Sequence, residues 1–189
     1  MIVSHIVAVS KNFVIGKNNK LPWRMPSDAQ YFHDVTRGHI VIMGRKNYEA
    51  NKKALPGRLN IVITRRDDFN PEDAVVVDSI DKALEYAENN IDSWNKEIQS
   101  FNSNSKAENN PENKDQNNIN EVFIVGGGEI YKQTIEIVDR IYITVIDTFV
   151  DGDTKYPEID LNDYTILSKE EHKADNKNPY DYTYYVLKT

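Results

Sequence analysis

Val122-Phe-Ile-Val-Gly-Gly-Gly-Glu-Ile-Tyr131 reads as a buried strand, a glycine turn and the first residues of a helix. A short unbroken apolar run rich in β-branched residues suits a strand covered on both faces. The three glycines let another group approach the backbone, and the helix start beyond them favours an anion. The spacing is not G-x-G-x-x-G, and a tight strand-to-helix turn without a ligand fits the same residues. Four more runs look alike: Ile6–Val9, Ile40–Met43, Ile61–Ile63 and Val75–Val77. Helical patterns fall between them, over residues 27–37, 45–51, 79–90 and 128–135. Strands alternating with helices predict a three-layer α/β fold, with a central, twisted, mostly parallel sheet of about eight strands and about four flanking helices. Residues 140–148 and 182–188 look like long strands with little helix between them, and are expected to add an antiparallel C-terminal edge.

The chain has 189 residues, 39% of them hydrophobic, and a net charge of −7. That length fits a single domain over 1–189 with a sizeable core. An acidic balance argues against nucleic acid as a partner. Without cysteine there is no disulfide or thiolate metal site, and the four histidines lack ligand spacing. The N-terminus has no basic segment ahead of an apolar one, and no apolar run approaches the ~18 residues of a membrane span. The expectation is a cytoplasmic protein with no membrane contact and no metal.

Residues 92–120 break the rhythm, being rich in Asn, Lys, Glu and Ser. Ile91, Trp94, Ile98 and Phe101 nevertheless recur at helical spacing, so the first half is expected to extend or follow helix 79–90, with Trp94, Ile98 and Phe101 packing on the outer face of the domain or, alternatively, forming a partner interface. The second half, about 102–119, reads as a solvated polar loop.

Asp28 is the outstanding polar residue. Pro26 marks a helix start, and Asp28, Phe32 and Val35 then share one face at i, i+4 and i+7. A carboxylate thus points where core side chains go, and burying a charge without a partner is costly. A first-turn Asp that satisfies backbone N–H groups and the helix dipole is the plainer explanation. Two further strand ends change the balance. Ile40–Met43 leads into Gly44, Arg45 and Lys46, and Ile61–Ile63 into Thr64, Arg65 and Arg66. The carboxyl ends of parallel strands are where α/β ligands bind, and Arg forks match phosphates. Each arginine alone is an ordinary surface charge; their repetition at strand ends suggests a polyphosphate ligand with an extra phosphate.

Taken together, Val14-Ile-Gly16, Leu21-Pro-Trp23, Pro26-Ser-Asp28, Val41-Ile-Met-Gly-Arg45, Leu55-Pro-Gly-Arg58, Ile124-Val-Gly-Gly-Gly128 with Tyr131, and Asp151-Gly-Asp-Thr154 resemble the bacterial-type dihydrofolate reductases. The motifs follow that family's order across the whole chain except 92–120. The resemblance implies hydride transfer from NADPH to dihydrofolate, and antifolate-type inhibitors as further ligands. Asp28 would hold the pteridine through N3 and the 2-amino group, with Thr144 orienting it. Ala8, Phe32 and Leu55 would line the folate pocket with Ile6 nearby, joined by Ala29, Asn51, Ile124 and Tyr131. Arg58 would pair with the α-carboxylate of the glutamate tail. Leu21 and Trp23 would ride on a mobile loop that closes over the nicotinamide, supported by Asp153.

On the cofactor side the resemblance implies that Gly126, Gly127 and Gly128 pass close to NADPH, the first two joined by a cis peptide. Arg45, Lys46, Thr64 and Arg65 would surround the 2′-phosphate, with Arg66 beside them. Val7, Ala8, Ile15, Gly16 and Leu21 would meet the cofactor from the first strands and the loop. Gly44, Asn47, Ile124, Glu129, Ile130 and Tyr131 would complete its cleft. Three positions depart from the family pattern: Asn47 replaces a Thr, Asn51 an apolar residue and Ala29 a larger one. They imply a wider or more polar pocket mouth and altered antifolate affinity. A monomer is expected. Two alternatives stay open: the related pyrimidine reductase of riboflavin synthesis, which needs neither the Leu-Pro-Trp loop nor an acid at position 28, and a non-catalytic folate- or NADPH-binding protein.

Overall fold

The apolar runs form one sheet whose two faces can be followed residue by residue. In the computed structural model, which describes residues 1–104 and 119–189, the strands are β1 (Ile2–Ser10), β2 (Val14–Gly16), β3 (Ile40–Gly44), β4 (Leu59–Ile63), β5 (Val75–Val77), β6 (Glu121–Ile124), β7 (Arg140–Ile146), β8 (Thr154–Lys155), β9 (Thr165–His172) and β10 (Tyr182–Lys188). The helices are α1 (Pro26–Thr36), α2 (Arg45–Asn51), α3 (Ile80–Asn104) and α4 (Gly128–Thr134). Eight strands make the main sheet in the order β5-β4-β3-β6-β1-β7-β10-β9, and β2 pairs with β8 apart from it. All pairings from β5 to β7 are parallel; β10 is antiparallel to β7 and β9 to β10.

Period-two alternation splits the core into layers. Ile6, Val41, Met43, Phe123 and Val125 face one way, where Phe32 and Val35 of α1 and Tyr48 of α2 cover them. Val7, Ile40, Ile42, Val122 and Ile124 face the other way, against Ala83, Ala87 and Ile91 of α3 and Ile130 and Tyr131 of α4. Both faces are therefore covered, as all-parallel pairing requires.

Two details differ from the sequence expectation. Residues 140–148 do not lie on an edge: β7 pairs in parallel with β1 along its whole length, and the antiparallel edge is β10 with β9. Strand β9 (TILSKEEH) gives no strand signal because nearly all its residues are exposed. The helix expected at 79–90 runs without a break through Ile80–Asn104. Along it Ile91 and Asn95 are buried and Trp94 and Ile98 half-buried, whereas Phe101 is 70% exposed. The polar loop expected at 102–119 lies almost wholly outside the described residues.

One polar residue inside the fold is paired on both sides. His5 on β1 is buried between the Tyr156 hydroxyl (2.8 Å from Nδ1) and Thr134 of α4 (2.7 Å from Nε2). Burial pushes its pKa down to about 3, so it is a neutral bridge between β1 and the helix that follows the glycine turn.

Candidate active site

Helix α1 starts at Pro26 but is not capped by its own residues. Asn178, buried in the β9–β10 connection, supplies the cap from afar. Its Oδ1 accepts the Ser27 N–H (3.1 Å) and its Nδ2 donates to Ser27 Oγ (2.8 Å). Asp28 is thereby released from the plainer capping role. Its carboxylate lies by Thr144 on β7, which pairs with Ala8 on one side and Tyr184 on the other. Burial pushes the Asp28 carboxyl up to about 6, while the hydrogen bond from Thr144 pulls the other way. Tyr31 and Tyr184 stack beside it, ring centroids 4.0 Å apart, and make the surroundings apolar.

Around this acid the structure gathers most of the predicted pocket. Ile6, Phe32 and Leu55 belong to one cluster; Ala8 and Trp23 belong to the neighbouring one with Tyr31 and Tyr184. The Trp23 indole N–H is buried and has no hydrogen-bond partner among the described residues, a costly state that a polar ligand or water would relieve. Arg58 is buried, stacks over Phe32 (5.8 Å) and donates to Thr36 Oγ1 (2.9 Å) and Pro56 O (3.0 Å). Ala29 and Asn51 are exposed; the Asn51 amide donates back to Asn47 O.

Ile124 requires correction. It is fully buried on the α3–α4 face of β6, with Val7 and Ile42, and cannot reach a ligand beside Phe32. Its neighbour Val125 points to the Phe32 side. An unbroken apolar strand hides its phase, so the sequence could not say which of the two faces the pocket; the glycine that ends the strand was the available marker.

The glycine turn lies next to β3 and α2. Gly44 N–H donates to Gly126 O (2.7 Å) and Asn47 Nδ2 to Val125 O (2.8 Å), while the Tyr131 hydroxyl donates to Ile6 O (2.6 Å). Asn47 thus holds the end of β6. Gly126 has φ +101°, is joined to Gly127 by a cis peptide, and has no room for a side chain because a Cβ would lie 2.8 Å from the Tyr131 ring. Around Gly127, by contrast, a Cβ would meet nothing within 4 Å. Backbone open to an approaching group, followed by the unbonded N–H groups of a helix start, suits a dinucleotide phosphate. Ile15 and Thr154 border Gly128, and Ile130 borders Gly44, whereas Glu129 is exposed.

Cations stand at the adjacent strand ends, since Gly44 is in register with Ile63. Arg45 is engaged by Glu49 of its own helix (2.6 and 2.7 Å) and Arg66 by Asp68 (2.8 Å). Lys46 and Arg65 form no ion pair among the described residues. Thr64 Oγ1 accepts the Arg66 N–H (3.2 Å), which shapes that turn.

The loop ahead of α1 is tied down at its base. Asn18 and Asn19, at φ +52° and +58°, form a two-residue reversal between Lys17 and Lys20. Asp153 accepts the Asn18 N–H (2.7 Å) and Lys17 Nζ donates to Asp151 (2.7 Å). Beyond this anchor Leu21 is 61% exposed, while Trp23 turns inward.

A family model described as dihydrofolate reductase matches residues 2–98 and 90–189. The chain belongs to the dihydrofolate reductase family. A dihydrofolate reductase from Staphylococcus haemolyticus is 36% identical over 184 residues, covering 97% of this chain and 93% of its own. One from Bacillus subtilis is 34% identical over 182 residues, covering 96% and 91%. A solved dihydrofolate reductase from Enterococcus faecalis, complexed with NADP(H) and RAB-propyl, superposes with a TM-score of 0.77 at 27% identity, covering 99% of this chain and 95% of that one. As a dihydrofolate reductase the chain spans nearly the full length of these relatives. No helix among the described residues is long and apolar enough to cross a membrane.

Proposed function

We propose that the cleft between Asp28 and the glycine turn carries out the family reaction, reduction of 7,8-dihydrofolate to 5,6,7,8-tetrahydrofolate with NADPH for one-carbon metabolism. The observation that carries the assignment of roles is Asp28. It is an uncapping carboxylate at the helix start, held by Thr144 in an apolar surround with its pKa raised to about 6.

When bound, NADPH supplies the hydride that reaches C6 of the pterin. Asp28 accepts hydrogen bonds from N3 and the 2-amino group, which fixes the ring and polarises it so that N5 takes a proton from water. Thr144 keeps the carboxylate aimed. Trp23 offers its unpaired indole N–H to the polar edge of the ring or to a water beside it. Phe32, Leu55 and Ile6 cover the apolar middle of the substrate, and Arg58 receives the α-carboxylate of its glutamate tail. Leu21, standing out on an anchored loop, folds over the reacting atoms and excludes water. Gly126–Gly128 take the cofactor's central phosphates, and Arg65, Lys46 and Thr64 the 2′-phosphate, with Arg45 joining when Glu49 releases it. Antifolate-type inhibitors would enter the same cleft, past a mouth that Ala29 and Asn51 make wider and more polar. The reading places the reaction in a cytoplasmic monomer with no nucleic-acid partner, in keeping with the acidic net charge of −7.

Steady-state oxidation of NADPH with dihydrofolate tests the assignment. Turnover with dihydrofolate and none with the ribosylamino-pyrimidine of riboflavin synthesis is expected. Cofactor binding without turnover would overturn it in favour of a binding protein. The 2′-phosphate assignment has its own test. Arg65→Ala should raise KM for NADPH about tenfold, the size of one lost charge-assisted contact. KM for NADH, which lacks that phosphate, should not move; an equal rise for both cofactors would sink the role.

A further inference from the structure

The start and the return of stretch 92–120 converge on one small turn. At its start, Trp94 of α3 donates its indole N–H to Gly38 O over 2.6 Å. At its return, Ile119 is clamped by Asn95 through two bonds: Asn95 Nδ2 donates to Ile119 O (2.9 Å) and Ile119 N–H donates to Asn95 Oδ1 (3.2 Å). A Cβ on Gly38 would lie 3.6 Å from Ile119 Cδ1 and 3.9 Å from Ile98 Cγ2, so both segments lie over this glycine.

Gly38 closes α1 onto β3 in a left-handed conformation (φ +81°) and donates its N–H to Gly57 O (2.8 Å), itself left-handed (φ +68°). Gly57 immediately precedes Arg58. Two residues before Gly38, Thr36 accepts Arg58 Nη1 (2.9 Å) and anchors itself on Phe32 O (2.7 Å). Arg58 is therefore located by two backbone segments, 36–38 and 56–57, stitched together at Gly38, and Trp94 holds the stitch from behind.

We infer that Trp94 is a positioning residue for Arg58, so that the start of the 92–120 stretch sets how the enzyme recognises the glutamate tail of its substrate. The inference rests on the assignment of Arg58 to that tail. It gives Trp94 and Asn95 a part in substrate affinity although neither lies near the pterin. The chemical step, governed by Asp28, is untouched.

The test compares dihydrofolate with 6-methyl-7,8-dihydropterin, which lacks the benzoylglutamate tail. Trp94→Phe keeps an aromatic ring and removes the donor. It is expected to raise KM for dihydrofolate about three- to fivefold, the worth of one neutral hydrogen bond, with kcat unchanged and both constants unchanged for the dihydropterin. Arg58→Ala, run beside it, should show the same selectivity with a larger rise. Selective loss in Arg58→Ala but none in Trp94→Phe overturns the brace and leaves the tail assignment standing. No selective loss in Arg58→Ala overturns that assignment, and the brace with it. An equal loss with both substrates in Trp94→Phe marks general destabilisation and also overturns the brace. Should Trp94→Phe not fold, Ile98→Ala, which thins the packing over Gly38, is read the same way.

Discussion

Asp28→Asn should bind NADPH normally, lose about a hundredfold or more in kcat/KM at neutral pH, and be more stable than the parent. The activity loss follows from removing the charge that polarises the pterin, an effect of the order of general acid–base contributions. The gain in stability follows from the raised pKa. With a folded value of about 6 against an ordinary 3.8, the native state binds more protons than the unfolded state between those pH values. Stability is therefore lost as pH rises from about 4 to about 6, and the penalty stays constant above that. Two units correspond to about 3 kcal/mol at neutral pH, an upper figure for a group that keeps some contact with solvent. The neutral amide escapes that penalty. The excess stability of Asp28→Asn in denaturant titrations should therefore be largest above pH 6 and vanish near pH 4. The parent's pH–activity profile should bend near 6, and the variant's should not. Unchanged turnover, or a stability difference that grows toward acid pH, would refute the role given to this carboxylate.

Gly152→Ala should cost turnover more than tenfold from a position that touches no reacting atom. A Cβ there would lie 2.2 Å from Val14 Cγ1 and 2.6 Å from Gly16 O. Neither neighbour can step aside: Val14 is buried, and the oxygen belongs to the backbone that receives the Asp153 N–H (3.1 Å). The methyl group must push the 151–154 segment away from β2. That withdraws Asp153 from the Asn18 N–H and Asp151 from Lys17, the two ties at the base of the loop bearing Leu21 and Trp23. Displacements of about 1 Å can cost a hundredfold in rate, and overpacking costs about 1–3 kcal/mol in stability. Stopped-flow measurement of hydride transfer and a thermal midpoint separate the two effects. A variant that loses stability but transfers hydride at the parental rate would show that the anchor does not govern the loop.

The strands were legible because their apolar runs are short, β-branched and continuous, and the sheet brings the glycines and cations at their ends side by side. Phase within such a run was not legible. Ile124 and Val125 are equally apolar, and only the sheet decides that the first lies under α4 and the second beside Phe32. β9 escaped notice because a strand exposed on both faces carries no hydrophobic period. Contacts far apart in sequence were equally hidden. Asn178 caps a helix 151 positions earlier, and Trp94 reaches Gly38 across 56. Asp28 stood out because an acid on an apolar face conflicts with its surroundings. The roles of the pocket residues came from the family resemblance, and the structure adds why Asp28 is spared for one of them: another residue has taken over the cap.

The two ends of the sheet are finished in different ways. At one, β5 is only three residues long, offering little free backbone to a newcomer. At the other, the eight-residue β9 presents an open row of amides but carries Lys169, Glu170 and Glu171 in succession, all exposed. A second copy adding its own β9 there would have to strip water from this charged row as it formed hydrogen bonds, and brevity or charge is how natural sheets resist extension. The polarity that hides β9 from a hydrophobic scan thus also opposes extension of the sheet at that edge.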